Sequence, residues 1–305
     1  MANVIAVTRQ AASVQGEFAE RLAELARQAL VAEAELTPKP GLVDRRGPGA
    51  HSDLSLAIMR QSASAIAPYF VDMASASQSM PIGPVLRTKT AAIGRIAESA
   101  MLKATDGSNS HRGAIWVLGL LVTVAGQHMD SNPEAIAQDA GRLARLPDRA
   151  QPQLVSHGDI VKARYGATGA RGEAYSGFPH VVHVGLPALR AARSRDCTET
   201  NSRLFAILSI MAHLDDTCVL YRGGPKGLMS VQRGAAEVLD SGGPGSLAGD
   251  EALRQFDQKL FSKNISPGGS ADLLAAALFL DALERDQDAV EVDNSVSEEH
   301  TYGAN

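Results

Sequence analysis

The chain has 305 residues, 45% hydrophobic and only 4% aromatic, enough apolar material for a sizeable core and better suited to close-packed helices than to a sheet rich in Val, Tyr and Thr. A formal charge of −5 gives no general field for nucleic acid or an anionic membrane, so any anion site must be local. The longest apolar run, AIWVLGLLVTVAG at 114–126, falls short of the roughly 20 residues that cross a bilayer, and residues 1–12 lack the basic start and apolar centre of a signal peptide. The expected compartment is therefore the cytoplasm, and Cys197 and Cys218 are too few for a disulfide scaffold.

The first predicted element is GEFAERLAELARQALVAEAEL (16–36), where Phe18, Leu22, Leu25, Ala29 and Ala32 recur at helical spacing. It must stop at Thr37-Pro38, because a residue before proline is pushed out of the α region. A second helix is expected after Ser52 or Asp53, either able to cap it, running toward Pro68. Helices over 85–107 and 111–129 follow, joined by TDGSNS, then a short one at 133–146. The middle, 154–192, carries glycine at 158, 166, 169, 172, 177 and 185, a connection more in keeping with function than with idle linkage. One or two short strands are expected near 178–184. Helical patterning returns at 200–214, 226–239, 249–262 and in SADLLAAALFLDALE (270–284). From 285 the acidic, polar stretch has little to bury and is predicted to be disordered, leaving residues 1–284 as one all-α, multi-helix domain with glycine-rich loops.

Three junctions share one design: GPGAHSDLSL, DGSNSHRGAIW and SPGGSADLLA each lead from small, flexible residues into a helix. Free N–H groups and the positive dipole end of a helix start favour anions, and glycine lets a phosphate come close. Caps and turns use the same residues, but Lys39, His51, His111, Arg112, Arg171, Arg222 and Lys226 also gather in or beside these breaks. Asn109, Gly268, Gly269 and Ser270 belong to the same loops, and Gly223 to the glycine pair that closes DDTCVLYRGG. The carboxylates repeat the placement, with Glu33, Glu35, Asp44, Asp53, Glu173, Asp215, Asp216 and Asp272 at element ends. Asp215 and Asp216, read as closing a helix whose dipole opposes them, are candidate Mg²⁺ ligands with Asp272, since Mg²⁺ takes hard oxygen donors beside substrate phosphates. No P-loop pattern, no G-x-G-x-x-G after a strand and no zinc spacing is present.

TPKPGLVD (37–44), GAHSDL (49–54), GSNSHRGAIW (107–116), SHGDIVKARYGATGARGEAYSGFP (156–179), DDTCVLYRGG (215–224) and NISPGGSADLLAAALFL (264–280), in this order, resemble the triphosphoribosyl-dephospho-CoA synthase family, most closely the type serving malonate decarboxylase, with the citrate lyase type as its relative. Ser110 and Cys218 stand where the family commonly has Thr and Asn. The resemblance implies an all-helical enzyme joining ATP to 3′-dephospho-CoA with release of adenine. Its product, 2′-(5″-triphosphoribosyl)-3′-dephospho-CoA, is the precursor of an acyl carrier protein prosthetic group and passes to a phosphoribosyl-dephospho-CoA transferase. An α-linked product from β-linked ATP implies inversion in a single displacement. Adenine must leave with a proton, an oxocarbenium-like ribose must be stabilised and the acceptor 2′-hydroxyl must lose its proton, as in glycoside cleavage. On this resemblance Glu33 or Asp44 is the base or cation stabiliser, with Glu173 as competitor. Lys39, His51, Arg112, Arg171 and Arg222 bind phosphates, Asp215 and Asp216 hold Mg²⁺ on the triphosphate, and His51, His111 and His157 stand as equal candidates to protonate adenine. An apolar helix face would support a homodimer. The alternatives are an all-helical, Mg²⁺-dependent nucleotide phosphohydrolase, whose product keeps adenine attached, and a non-catalytic helical subunit whose loops are only turns.

Overall fold

In the computed structural model, which describes residues 2–128, 132–150 and 157–302, the apolar periodicity becomes twelve α-helices. Side chains are described for 14–128, 132–150 and 158–287. Helix α1 (Ala2–Glu35) ends just before Thr37-Pro38, as the proline requires. Helices α2 (Leu56–Ser79), α3 (Pro84–Ala104), α4 (Arg112–Ala125), α5 (Pro133–Arg145), α6 (His157–Tyr165) and α7 (Gly169–Tyr175) follow. A single π turn, Val181–Gly185, leads into α8 (Leu186–Arg193). Then come α9 (Glu199–His213), α10 (Thr217–Asp240), α11 (Leu247–Ser262) and α12 (Gly268–Tyr302).

Burial explains which helices sit at the centre. In α4 every residue from Val117 to Ala125 is buried, and in α12 the run Leu273–Leu280 is buried on all sides. A helix apolar all round belongs in a core, and each such Leu, Val or Phe contributes about 1.5–3 kcal/mol relative to exposure. Around these two pack α1, α2, α5, α9 and α10, all contributing to one continuous apolar core. No single helix among the described residues is long and apolar enough to cross a membrane.

Three expectations are corrected. The β-branched run near 178–184 is helical, and among the described residues there is no strand, only one isolated bridge between Asp44 and Gly47. Val181 and Val182 face the core beside α8, α9 and α12, so packing overrides their strand preference. Helix α2 starts at Leu56 with Ser55 as cap, its side chain accepting the Ile58 N–H at 3.3 Å, and it continues through Pro68 to Ser79. The buried face of Ile66, Phe70 and Met73 outweighs the hydrogen bond that Pro68 forgoes. Finally, α10 begins nine residues before the expected Lys226, because Gly224, at φ 59° and ψ −165°, absorbs a kink that lets helical backbone resume at Pro225. The backbone of α12 continues past residue 284, the domain boundary expected from composition.

Candidate active site

The ends of six elements enclose a cleft of about 440 Å³, within the usual range for a small-molecule site. Its walls come from the end of α1, the loop before α2, the starts of α4, α10 and α12, and one face of α7. That list is nearly the list of glycine-rich junctions in the sequence.

On one side, Glu33 and Lys39 form a buried pair. Both are almost wholly enclosed, at 3% and 1% exposure, and Lys39 Nζ donates to Glu33 Oε1 and, at 2.7 Å, to the Glu33 backbone oxygen. Asp44 keeps this loop in shape: its carboxylate accepts the backbone N–H of Lys39 at 2.9 Å and of Arg46 at 2.7 Å, and pairs with the Arg46 guanidinium at 2.7 Å. Arg46 then bridges to Asp257 on α11 at 2.8 Å.

On another side the helix starts are already occupied by carboxylates of the protein. Asp216 caps α10, its Oδ1 accepting the N–H of Cys218 at 2.9 Å, while its Oδ2 accepts the backbone N–H of Ser270 at 2.8 Å and the Ser270 hydroxyl at 3.0 Å. One buried side chain thus ties the starts of α10 and α12 together. Asp272 performs the same service for α4, accepting the Ala114 N–H. A Cβ built on Gly113 would lie 1.9 Å from Asp272 Oδ2, so only glycine leaves room for this approach. Burial, and then the carboxylates of Glu33 and Asp216, hold the Asp272 carboxyl well above its usual range. Burial also pushes Asp216 up, opposed by its hydrogen bonds.

The histidines are neutral or paired. His51 Nε2 lies 2.7 Å from Ser266 Oγ, and Arg222 Nη2 donates to its Nδ1 at 3.3 Å, while Arg222 Nη1 donates to the Ala50 carbonyl at 3.1 Å. Burial and then the Arg222 charge pull His51 down. His111 is buried, with Nδ1 2.7 Å from Ser62 Oγ, and burial and then Lys39 pull it down to about 3. Neither ring is a phosphate-binding cation at neutral pH. Glu173 of α7 accepts the His180 N–H at 2.7 Å and meets His180 Nδ1 at 2.8 Å, and that bond, followed by the Glu173 charge and the His213 carbonyl, raises His180.

Residues 19–290 match the protein family described as ATP:dephospho-CoA triphosphoribosyl transferase. The chain belongs to this family. Among its relatives, a protein of Pseudomonas fluorescens (strain Pf0-1) named a probable 2-(5″-triphosphoribosyl)-3′-dephosphocoenzyme-A synthase is 54% identical over 88% of this chain and 93% of its own. Proteins carrying the same name in Pseudomonas savastanoi pv. phaseolicola and Azotobacter vinelandii are 51% and 53% identical over 92% and 88% of this chain, and over 96% and 92% of their own lengths. A crystal structure of an Archaeoglobus fulgidus protein carrying the triphosphoribosyl-dephospho-CoA synthase name shares the fold at a TM-score of 0.50 and 18% identity, covering 73% of this chain and 97% of that one. The resemblance read from the six motifs is thus the family, the all-α fold holds, and the chain is a transferase.

Of the residues the sequence singled out, the transferase cleft brings together Glu33, Glu173, Lys39, His51, Asn109, His111, Arg112, Arg222, Gly268, Gly269, Asp215, Asp216 and Asp272. Asp44, Arg171, Gly223 and Ser270 do not line it. Asp44 is turned into its own loop by the bonds above, which replaces the base role expected of it. Arg171 lies on the face of α7 opposite Gly169, Ala170 and Glu173, with Nη1 3.5 Å from Asp159. Gly223 packs against Ile265, and Ser270 holds Asp216. Asn109 is a cap, its side chain accepting the Arg112 N–H at 3.2 Å. Asp216 follows the end of α9 but starts α10, so the dipole favours it, contrary to the reading from sequence. The His157 side chain lies outside the described residues.

Sequence reasoning missed Ser62, Tyr221 and His180. Ser62 sits in an apolar helix and gives no signal at all, whereas Tyr221 and His180 adjoin the DDTCVLYRGG and GFP motifs, where only a count of every polar neighbour would have caught them. Lys39 and Arg112 are paired, the latter with Glu98 at 2.5 Å, so Arg222 is the one lining cation without a carboxylate partner among the described residues.

Among the described residues no three His, Cys, Asp or Glu side chains are arranged to hold a Mg²⁺ ion alone. An ion that keeps waters and phosphate oxygens needs only one or two protein carboxylates, and Asp215, exposed in the cleft, and Asp272 satisfy that demand. Asp216, with both oxygens engaged, does not.

Proposed function

We propose that this transferase moves the 5-triphosphoribosyl group of ATP onto the 2′-hydroxyl of 3′-dephospho-CoA with release of adenine, making the prosthetic-group precursor for a malonate decarboxylase acyl carrier protein. The observation that carries the reading is Glu33: a carboxylate fixed by Lys39 inside a cleft that also holds the unpaired guanidinium of Arg222. Glycosyl transfer to a hydroxyl needs a positioned base and a site for polyphosphate, and these two groups meet those needs.

In this reading Glu33 takes the proton of the acceptor hydroxyl as it attacks the ribose carbon. Lys39 holds the carboxylate in place and, at 1% exposure, keeps it from rotating. Arg222 binds the triphosphate, joined by Arg112 on release from Glu98. Glu173, held by His180, positions the wall of α7 and stabilises positive charge on the ribose. Asp215 and Asp272 would hold a magnesium ion, which would supply charge neutralisation of the phosphates and relieve the repulsion among Glu33, Asp216 and Asp272. The product goes on to a phosphoribosyl-dephospho-CoA transferase and acyl carrier protein, in the cytoplasm. Residues 1–284 make the catalytic unit, free to act as a homodimer, and 285–305 are dispensable for chemistry.

Mass spectrometry of the purified protein with ATP, Mg²⁺ and 3′-dephospho-CoA tests this. Free adenine should appear only with dephospho-CoA and in step with the heavier conjugate. Release of phosphate with adenine still attached would replace the reading with a nucleotide phosphohydrolase. Comparing activation of malonate decarboxylase and citrate lyase carrier proteins by the product pathway tests the finer assignment.

A further inference from the structure

Among the polar groups buried beside the cleft, the ring of His111 has unfinished hydrogen bonding. The residue lines the cleft at 3% exposure, its Nδ1 lies 2.7 Å from Ser62 Oγ, and its Nε2 has no partner among the described residues. Leaving a buried ring nitrogen unmet is costly, a cost expected at a position that a ligand completes.

Ser110 decides which nitrogen carries the proton. Its hydroxyl, at the cleft wall, donates to Ser62 Oγ at 2.7 Å. Ser62, having accepted that bond, turns its own proton toward His111 Nδ1, which makes Nδ1 an acceptor and leaves the hydrogen on Nε2. Burial, and then the charge of Lys39 facing this ring, keep a second proton off. His111 is therefore a neutral donor of fixed tautomer, with one N–H unspent.

We propose that His111 Nε2–H meets the adenine ring of ATP at N3 or N7 and stabilises it as it leaves, a role that rests on the transferase reading above. The phosphates are served by guanidiniums, and a neutral imidazole adds little to them. The base is different: as the glycosidic bond breaks, its electron pair passes into the adenine ring, and a preorganised neutral donor stabilises that developing charge. His111 keeps its proton throughout. The acceptor hydroxyl loses its proton to Glu33, and the departed adenine takes one from water.

The test is a double-mutant cycle between the protein and the base. His111→Phe should lower kcat with ATP by roughly 100-fold, with KM changed far less. With 3-deaza-ATP or 7-deaza-ATP, whichever lacks the bonded nitrogen, the same substitution should cost less than about threefold, because the partner is already gone. Equal losses of His111→Phe on ATP and on both deaza substrates would overturn the assignment. If His111→Phe does not fold, Ser62→Ala and His111→Gln take its place in the same cycle, the first freeing the tautomer and the second keeping a donor. Nitrogen NMR of the protein labelled at histidine provides an independent check: the ring whose signals vanish in His111→Gln should hold the Nε2–H tautomer from pH 5 to 8 and shift on binding ATP, and titration of that ring in this range would refute the proposal. Should the unaltered protein release no adenine at all, the transferase reading falls first; adenine release with an additive cycle removes only the role of His111.

Discussion

Two carboxylates of the cleft, Glu33 and Glu173, look alike in sequence and are held in opposite ways. Glu33 is buried against the ammonium of Lys39, and its partner also grips its backbone oxygen. Glu173 accepts both the N–H and the ring of His180, a partner whose charge is conditional. A base needs a lone pair that its surroundings do not consume; Lys39 takes one oxygen of Glu33, whereas His180 takes both oxygens of Glu173. On the proposed reaction, this contrast favours Glu33 for proton transfer and Glu173 for position.

The sharpest way to break this contrast is turnover. Glu33→Gln should lower kcat by roughly a thousandfold with ATP affinity by calorimetry nearly unchanged, while Glu173→Gln should lower it by about tenfold. Reversed magnitudes would exchange the two roles. Next in size is Lys39→Met, which leaves Glu33 buried without a partner and should cost about 3–5 kcal/mol in urea unfolding. Asp44→Asn should cost about 1–3 kcal/mol of stability through the Lys39–Gly47 loop, with kcat reduced much less than by Glu33→Gln.

The smallest effects are in pH. His180 is raised when folded, so its pair stabilises fully below the unfolded histidine pKa of about 6.5 and loses that contribution as pH rises through the folded value. The urea midpoint of His180→Gln should therefore fall below that of the unaltered protein more at pH 6 than at pH 9. His111 works the other way. Its folded pKa of about 3 means the unfolded chain gains a proton first, so stability declines on acidification below about 6.5, on the order of 1 kcal/mol per pH unit. His111→Gln should flatten that decline.

Much of the fold could be read because its helices obey local rules: the Leu and Ala spacing of α1, the proline that ends it and the unbroken apolar run of α4 are all visible in the chain. What misled was context. Val181 and Val182 prefer strands until three helices surround them, and Ser55 rather than Ser52 caps α2 because Leu54 is buried ahead of it. At the site, the junctions marked in the sequence meet around the cleft, but the directions of their side chains were not legible. Asp44 and Asp216 read as free carboxylates because a polar loop looks the same whether its acid faces a ligand or the backbone amides beside it. Ser62 was invisible because its function depends on a histidine 49 residues away.

The kink at Gly224 divides α10 into two mechanical units. The short arm of about two turns that bears Tyr221 and Arg222 is joined to the longer segment by a glycine outside helical geometry and a proline with no N–H to donate. Amide exchange should report two separate opening events along this one helix, the short arm near the cleft exchanging first. The short arm has its own anchors, Val219 buried in the core and Asp216 tied to the start of α12, so the kink aims Arg222 into the cleft from a seat independent of the longer segment.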